Sequence, residues 1–147
     1  MKYTLTFLLA IIAFTSFSQT IDLSQLTGTW LCYKAKQGKI DMTEMYKDHY
    51  ATFKPDSTYI EERRYYYNTT KGIYHLDKKT QTLSFRKLVN TTKYPDAKVK
   101  MDDLVMDITQ QNEIITSLDK DNLVILLKGT PNTELSVDTY LHYKRQK

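Results

Sequence analysis

From residue 26 onward, hydrophobic and polar positions alternate with a period of two along short runs, and turn-forming residues separate the runs. Leu26 to Ala35 is the first run. Tyr50 to Lys54 and Thr58 to Tyr67 flank Pro55-Asp56-Ser57, a tripeptide suited to a tight turn. Gly72 to Leu76 and Thr82 to Leu88 flank Asp77-Lys78-Lys79-Thr80-Gln81, which reads as a second hairpin connection. Val89 to Asp102 keeps no period and carries Asn90, Pro95 and several lysines, so it predicts a long loop. Strands resume at Asp103 to Thr109, Glu113 to Leu118, Leu123 to Lys128 and Val137 to Arg145, with Asp119-Lys120-Asp121-Asn122 as the tightest turn. One segment, Gly38 to Tyr50, breaks the pattern. Within it Asp41 stands three residues before Glu44, the spacing of a capping box, which predicts one short helix through Lys47.

The expected fold is therefore all-β, an antiparallel up-and-down arrangement of about 8–9 strands with one short helix. Sequential strands joined by tight links pair with their neighbours, and closure into a barrel removes exposed edges. The strand pattern alone leaves a barrel and a sandwich both open. Taking the more hydrophobic face of each strand as the inner one places Trp30, Phe53, Tyr59, Tyr74, Phe85, Met106, Ile125, Leu141 and Tyr143 inside. A slip of one residue would invert any strand.

Ahead of this pattern, Lys2 and the apolar run Leu5 to Phe14 have the charge and length of a secretion signal, and the run is too short to span a bilayer. Ser16-Phe17-Ser18 supplies small residues for cleavage after Ser18. The division is then 1–18 signal peptide and 19–147 one domain, exported to the periplasm or beyond the cell. The chain carries +4 overall and +3 once Lys2 is removed, with both signs interspersed, which argues only weakly for an anionic partner. Twelve tyrosines against four glycines and three prolines favour half-buried pleated surfaces. Cys32 is the single cysteine, so no internal disulfide exists. A thiol buried in a strand and one linking two chains both stay open.

The chemistry of enzymes is hard to find. His49, His75 and His142 have no second histidine or cysteine at ligand spacing, so no metal is expected. Asp119 opens a segment like a calcium loop, but Val124 stands where glycine is needed and Thr130 where an acid should close it. Glu61 and Glu62 are adjacent in a strand and point to opposite faces, which no glycosidase pair can do. There is no nucleophile elbow and no phosphate-binding glycine loop. Neither catalysis nor a cofactor is expected. Arg63-Arg64-Tyr65-Tyr66-Tyr67 with Lys71 has the residue types of a stacking surface for single-stranded nucleic acid or a sugar ring. In an exported protein the preferred reading is instead a twisted strand whose tyrosines cover a barrel end while its arginines pair with Glu61 and Glu62. No nucleic-acid partner is expected.

Several pieces resemble lipocalin-like domains, in particular the small exported bacterial members. Leu26-Thr27-Gly28-Thr29-Trp30 is similar to their opening Gly-x-Trp strand, and Phe53-Lys54-Pro55-Asp56-Ser57-Thr58-Tyr59 to an Asp-Gly hairpin, with serine in place of glycine. Gly72-Ile73-Tyr74 with Leu83-Ser84-Phe85 resembles their central hairpin, Ile115 to Leu127 their late hairpin, and Tyr143-Lys144-Arg145 their closing strand. The resemblance covers Leu26 to Arg145. It implies that Trp30 plugs one end of a barrel with Arg145 across its ring, a structural closure, with Lys144 as the alternative partner. It also implies a bacterial source, in which the sequons at Asn68 and Asn90 go unmodified.

The function expected is an exported, non-enzymatic binding protein holding a small apolar or aromatic ligand. Phe53, Tyr59, Tyr74, Phe85, Met106, Ile125 and Tyr143 are the candidate ligand-binding residues, and the loops at 36–49 and 89–102 the candidate lids. The alternative is a filled barrel acting through its surface as a protein-interaction or cell-envelope accessory domain, with an exposed patch around Tyr65 to Tyr67.

Overall fold

The computed structural model describes residues 23–92, 112–129 and 137–147. A single helical turn, α1 (Leu23–Leu26), leads into nine strands: β1 (Gly28–Gln37), β2 (Ile40–Asp41), β3 (His49–Phe53), β4 (Thr58–Arg63), β5 (Asn68–Asp77), β6 (Thr82–Thr92), β7 (Asn112–Leu118), β8 (Asn122–Leu127) and β9 (Thr139–Arg145). All pairings are antiparallel, in the order β2-β1-β3-β4-β5-β6-β7-β8-β9. β1 also pairs with β9 from Trp30↔Arg145 to Gln37↔Thr139, and this closes eight strands into a barrel. β2 is an extra ribbon on the end of β1. The barrel, not the sandwich, is the outcome.

The hairpins form where aspartate can cap its own turn. Asp56 Oδ1 accepts the Thr58 N–H at 2.9 Å, and Asp77 Oδ1 accepts those of Lys79 and Thr80. Asp119 Oδ1 accepts the N–H groups of Asp121 and Asn122 at 2.8 and 2.7 Å. Each such side chain offers the backbone a local partner that a strand cannot.

Inward residues follow the period of two until bulges interrupt it. The β1–β9 register shifts between Cys32 and Lys34, the β5–β6 register between Lys71 and Ile73, and the β7–β8 register between Ile115 and Ser117. At the second of these Lys87 takes φ 52°, Arg86 and Lys87 both face out, and Leu88 turns back in. A bulge puts two residues opposite one and re-aims the rest of the strand.

One pole is closed. Leu26 lies fully buried under the barrel, and its carbonyl accepts the Trp30 indole N–H at 2.8 Å. The Arg145 guanidinium sits 4.2 Å from the centre of the Trp30 ring. It donates to the carbonyls of Thr27 and Lys120, each at 2.6 Å, and to that of Gln25. Arg145 rather than Lys144 covers the indole; Lys144 lies 5.1 Å from the Tyr33 ring centre.

Several expected boundaries are corrected. β6 runs on to Thr92, so the loop expected from Val89 begins no earlier than 93, and the bulge explains the lost period. β4 stops at Arg63; a 3-10 turn, Arg64–Tyr66, follows, and Tyr67 takes a left-handed φ of 52°. Tyr65, Tyr66 and Tyr67 are therefore exposed on this turn instead of covering an end of the barrel. The expected capping-box helix is a 3-10 turn, Thr43–Tyr46, preceded by β2; Asp41 Oδ1 accepts the Thr43 N–H, and Met42, the residue at the N-cap, makes no side-chain cap bond. α1 is a second helical turn, ahead of a first strand that starts at Gly28 rather than Leu26. The last strand begins at Thr139. The expected signal segment, the strand Asp103 to Thr109 and Met106 lie outside the described residues.

Candidate functional site

The two halves of the barrel interior are built differently. Towards the closed pole, Phe53, Tyr59, Tyr74 and Phe85 pack ring to ring. Centroids lie 5.3 Å apart for Phe53–Tyr59, 5.2 Å for Phe53–Tyr74 and 4.5 Å for Tyr59–Phe85. Ile125, Leu141 and Tyr143 join the same buried cluster. Of the candidate ligand residues, these six are at most 7 % exposed, so the lower barrel is filled by its own side chains.

Towards the open end, charged and polar groups turn inward. Glu61 follows Tyr59 by two residues on β4, so it faces the interior while Glu62 faces out. Its carboxylate lies 2.7 Å from Arg63 Nε and 2.9 Å from His49 Nε2. Burial works against its charge, yet the His49 contact and Arg63 outweigh it and hold the carboxyl at about 2. His49 is only 3 % exposed, and neither ring nitrogen has an aligned hydrogen bond. Its ring packs 5.4 Å from Tyr46 and 5.8 Å from Tyr143. Higher on the same wall, the Asn68 and Asn90 amides pair reciprocally at 2.8 and 3.1 Å, and Asn90 donates to Thr70 Oγ1.

Glu113 stands across the barrel on β7. Leu83, its cross-strand partner, is fully buried, as is Ile115 two residues on, so Glu113 shares the inward face. It is partly exposed by area but surrounded by packed groups, and among the described residues it has no ion-pair partner. Burial, with the Glu61 carboxylate adding to it, pushes the carboxyl up to about 8 against the pull of Arg63. Burial raises the phenols of Tyr59 and Tyr143 most; the charges of Glu61 and Glu113 come next for Tyr59, and Cys32 ahead of Glu113 and Glu61 for Tyr143. Both rings are buried, and neither hydroxyl is hydrogen-bonded among the described residues.

Tyr46, carried by the Thr43–Tyr46 turn, divides the mouth. On one side is a cleft of about 270 Å³ lined by Met45, Tyr46, Arg63, Tyr66 and Asn68. On the other is one of about 300 Å³ bordered by Met42, Tyr46, Leu127, Val137 and Thr139. The segment between β1 and β3 thus sits where a lid would.

Among solved structures, a crystal structure of a lipocalin-like protein from Bacteroides uniformis matches with a TM-score of 0.52 at 12 % identity. The match covers 83 % of this chain and 99 % of that one. The fold is lipocalin-like. No family model matches the chain, and no curated protein does. At that identity the likeness carries the architecture of this lipocalin-like barrel and nothing about what it holds. No helix among the described residues is long and apolar enough to cross a membrane, and no group of three His, Cys, Asp or Glu among them is arranged to hold a metal ion.

Reading the sequence for sites picked out the aromatic wall and passed over His49, Glu61, Arg63, Glu113 and Tyr46 as site residues. The signal was there in part: alternation puts Glu61 on the face of Tyr59 and Glu113 on that of Ile115, and an acid on an inward face is unusual.

Proposed function

We propose that this chain is an exported, non-enzymatic binding protein that holds one small, largely apolar or aromatic molecule in the barrel mouth. The molecule's body rests on the tyrosines and its polar end reaches the charged cluster. The observation that supports this most is Glu113, turned inward with no counter-charge among the described residues. A barrel that only needed filling would carry an apolar residue there, because burying an unpaired acid costs stability. Uncompensated groups of this kind cluster at functional sites. The two clefts flanking Tyr46 lie at or just below the lower end of the range for small-ligand sites, roughly 300–1,000 Å³. With the Trp30 pole closed, the mouth is the entrance.

Native mass spectrometry of the protein from its natural host, paired with a thermal-shift screen of lipids and aromatic compounds, tests the reading. A non-covalent adduct and a raised Tm are expected. Bare polypeptide together with no stabilising compound would refute it. The second reading, a protein-interaction or envelope accessory surface, draws on Tyr65, Tyr66 and Tyr67, exposed by 61, 44 and 50 % at the rim. It leaves Glu113 without a role.

A further inference from the structure

We propose that the mouth cleft lined by Tyr46, Arg63 and Tyr66 takes a small aromatic carboxylic acid, whose carboxylate is received by the terminal nitrogens of Arg63. The inference rests on the barrel-binding reading above and names the chemical class of the molecule bound.

Strand register brings Arg63 to the mouth. It is the last residue of β4 and follows Tyr59 and Glu61 at intervals of two, so it shares their inward face. Its cross-strand neighbours are His49 on β3 and Asn68 on β5. Its side chain lines the cleft of about 270 Å³ together with Met45, Tyr46, Tyr66 and Asn68. Arg64, one residue on, is committed elsewhere. Its Nη2 donates to Glu62 at 3.2 Å, and its guanidinium carbon lies 4.1 Å from the centre of the Tyr50 ring. Of two adjacent arginines, one serves the mouth.

The way Arg63 is held leaves it ready for an anion. Arg63 Nε donates to Glu61 Oε1 at 2.7 Å, and the same carboxylate lies 2.9 Å from His49 Nε2. A guanidinium carries five N–H donors. Glu61 occupies the one on Nε, and among the described residues neither Nη makes a hydrogen bond. The long side chain is thus fixed before a ligand arrives, which lowers the ordering cost of binding. Its two terminal nitrogens form a fork that matches the two oxygens of a carboxylate.

The rest of the lining agrees. None of the five lining residues is acidic, and Arg63 is the one charged group among them. The Asn68 amide is occupied by Asn90 and Thr92. A single guanidinium already shared with Glu61 suits one negative charge and not the two of a phosphate. Beside the fork, the rings of Tyr46 and Tyr66 and the thioether of Met45 offer the surface on which an aromatic body packs.

Three compounds with one ring and different charges test this: indole-3-propionate, indole-3-ethanol and tryptamine, titrated calorimetrically into the full chain at pH 7 and low salt. The acid is expected to bind about tenfold tighter or more than the alcohol and the amine. Arg63→Gln is expected to weaken the acid to the level of the alcohol. Arg63→Lys, which keeps the charge and loses the fork, is expected to remove most of the acid's advantage, and it carries the test should Arg63→Gln fail to fold. Arg64→Gln is expected to leave the acid unchanged. Equal or tighter binding of the alcohol or the amine, acid binding indifferent to both Arg63 variants, or an equal loss in Arg64→Gln overturns the inference and leaves the barrel reading standing. Displacement of the acid by equimolar inorganic phosphate does the same. So does failure of all three compounds while the wider screen finds a ligand without an acid group. If neither this set nor the screen yields a ligand, both readings fall.

Discussion

Replacing Glu113 by glutamine should make the protein more stable, and increasingly so as the pH rises. The carboxyl titrates at about 8 against an ordinary 4.5. Below 4.5 it is protonated in folded and unfolded chains alike, and the substitution changes little. Between 4.5 and about 8 the unfolded chain gives up the proton while the folded chain keeps it, so stability falls as the pH climbs. At about 1.4 kcal/mol per pH unit, the acid costs the fold about 3 kcal/mol at pH 7 and about 5 kcal/mol once fully ionised. Glutamine keeps the shape and removes the titration. Urea unfolding of both proteins at pH 4, 5, 6, 7 and 8 reads the difference directly through the midpoint at constant m-value. Two curves that coincide at pH 4 and diverge steadily to pH 8 are expected. Glu61→Gln is the opposite control: its acid is held at about 2 by His49 and Arg63. It contributes about 3 kcal/mol above pH 4.5, and this is lost as the pH falls towards 2. A Glu113→Gln protein less stable than its parent, or a gap that ignores pH, refutes the reasoning. A chain that gains stability yet loses ligand binding would show an acid kept for function at the expense of the fold.

Other outcomes follow from the same structure. Arg145→Lys should lower stability by about 1–3 kcal/mol in denaturant unfolding, because one ammonium cannot cover Trp30 and reach the carbonyls of Gln25, Thr27 and Lys120 together; an unchanged midpoint would dismiss the closure as ornamental. Gly72→Ala should cost about 1–3 kcal/mol. Its new Cβ would lie 2.6 Å from Leu88 Cδ2 and 2.8 Å from the Arg86 carbonyl oxygen at the β6 bulge, and the backbone atom cannot swing aside; wild-type thermal stability would contradict this. The Cys32 thiol, pushed by burial to about 11, should resist a disulfide exchange reagent at pH 8 in the native state and react promptly in denaturant. Fast native labelling would mean that β1 opens at its seam with β9.

The strands and their turns were legible because their causes are local. A period of two marks a half-buried ribbon, and aspartates 56, 77 and 119 each hold a turn with a single side-chain oxygen. The pairing of Trp30 with Arg145 was implied by the resemblance, since the two residues are distant in sequence and only the β1–β9 seam brings them together. The bulges were not legible. Strict alternation beyond Phe85 would send Leu88 outward, and only the left-handed turn of the chain at Lys87 restores it to the core. Whether a strand accepts such a kink depends on the register its neighbour demands, which no single segment encodes.

The site was the least legible part. The sequence by itself determined an antiparallel chain of short ribbons, their hairpins and the aromatic residues that fill the interior, because each depends on periodicity or on a turn within a few residues. The tertiary structure decided that His49 from β3, Glu61 and Arg63 from β4, Tyr46 from the Thr43–Tyr46 turn and Glu113 from β7 share one end of the barrel. It also decided that Glu61 finds its partners while Glu113 has no ion-pair partner among the described residues. The charge state of an acid is set by how far water is excluded and by which charges lie nearby. Both depend on closure of the sheet, so neither exists until the barrel forms.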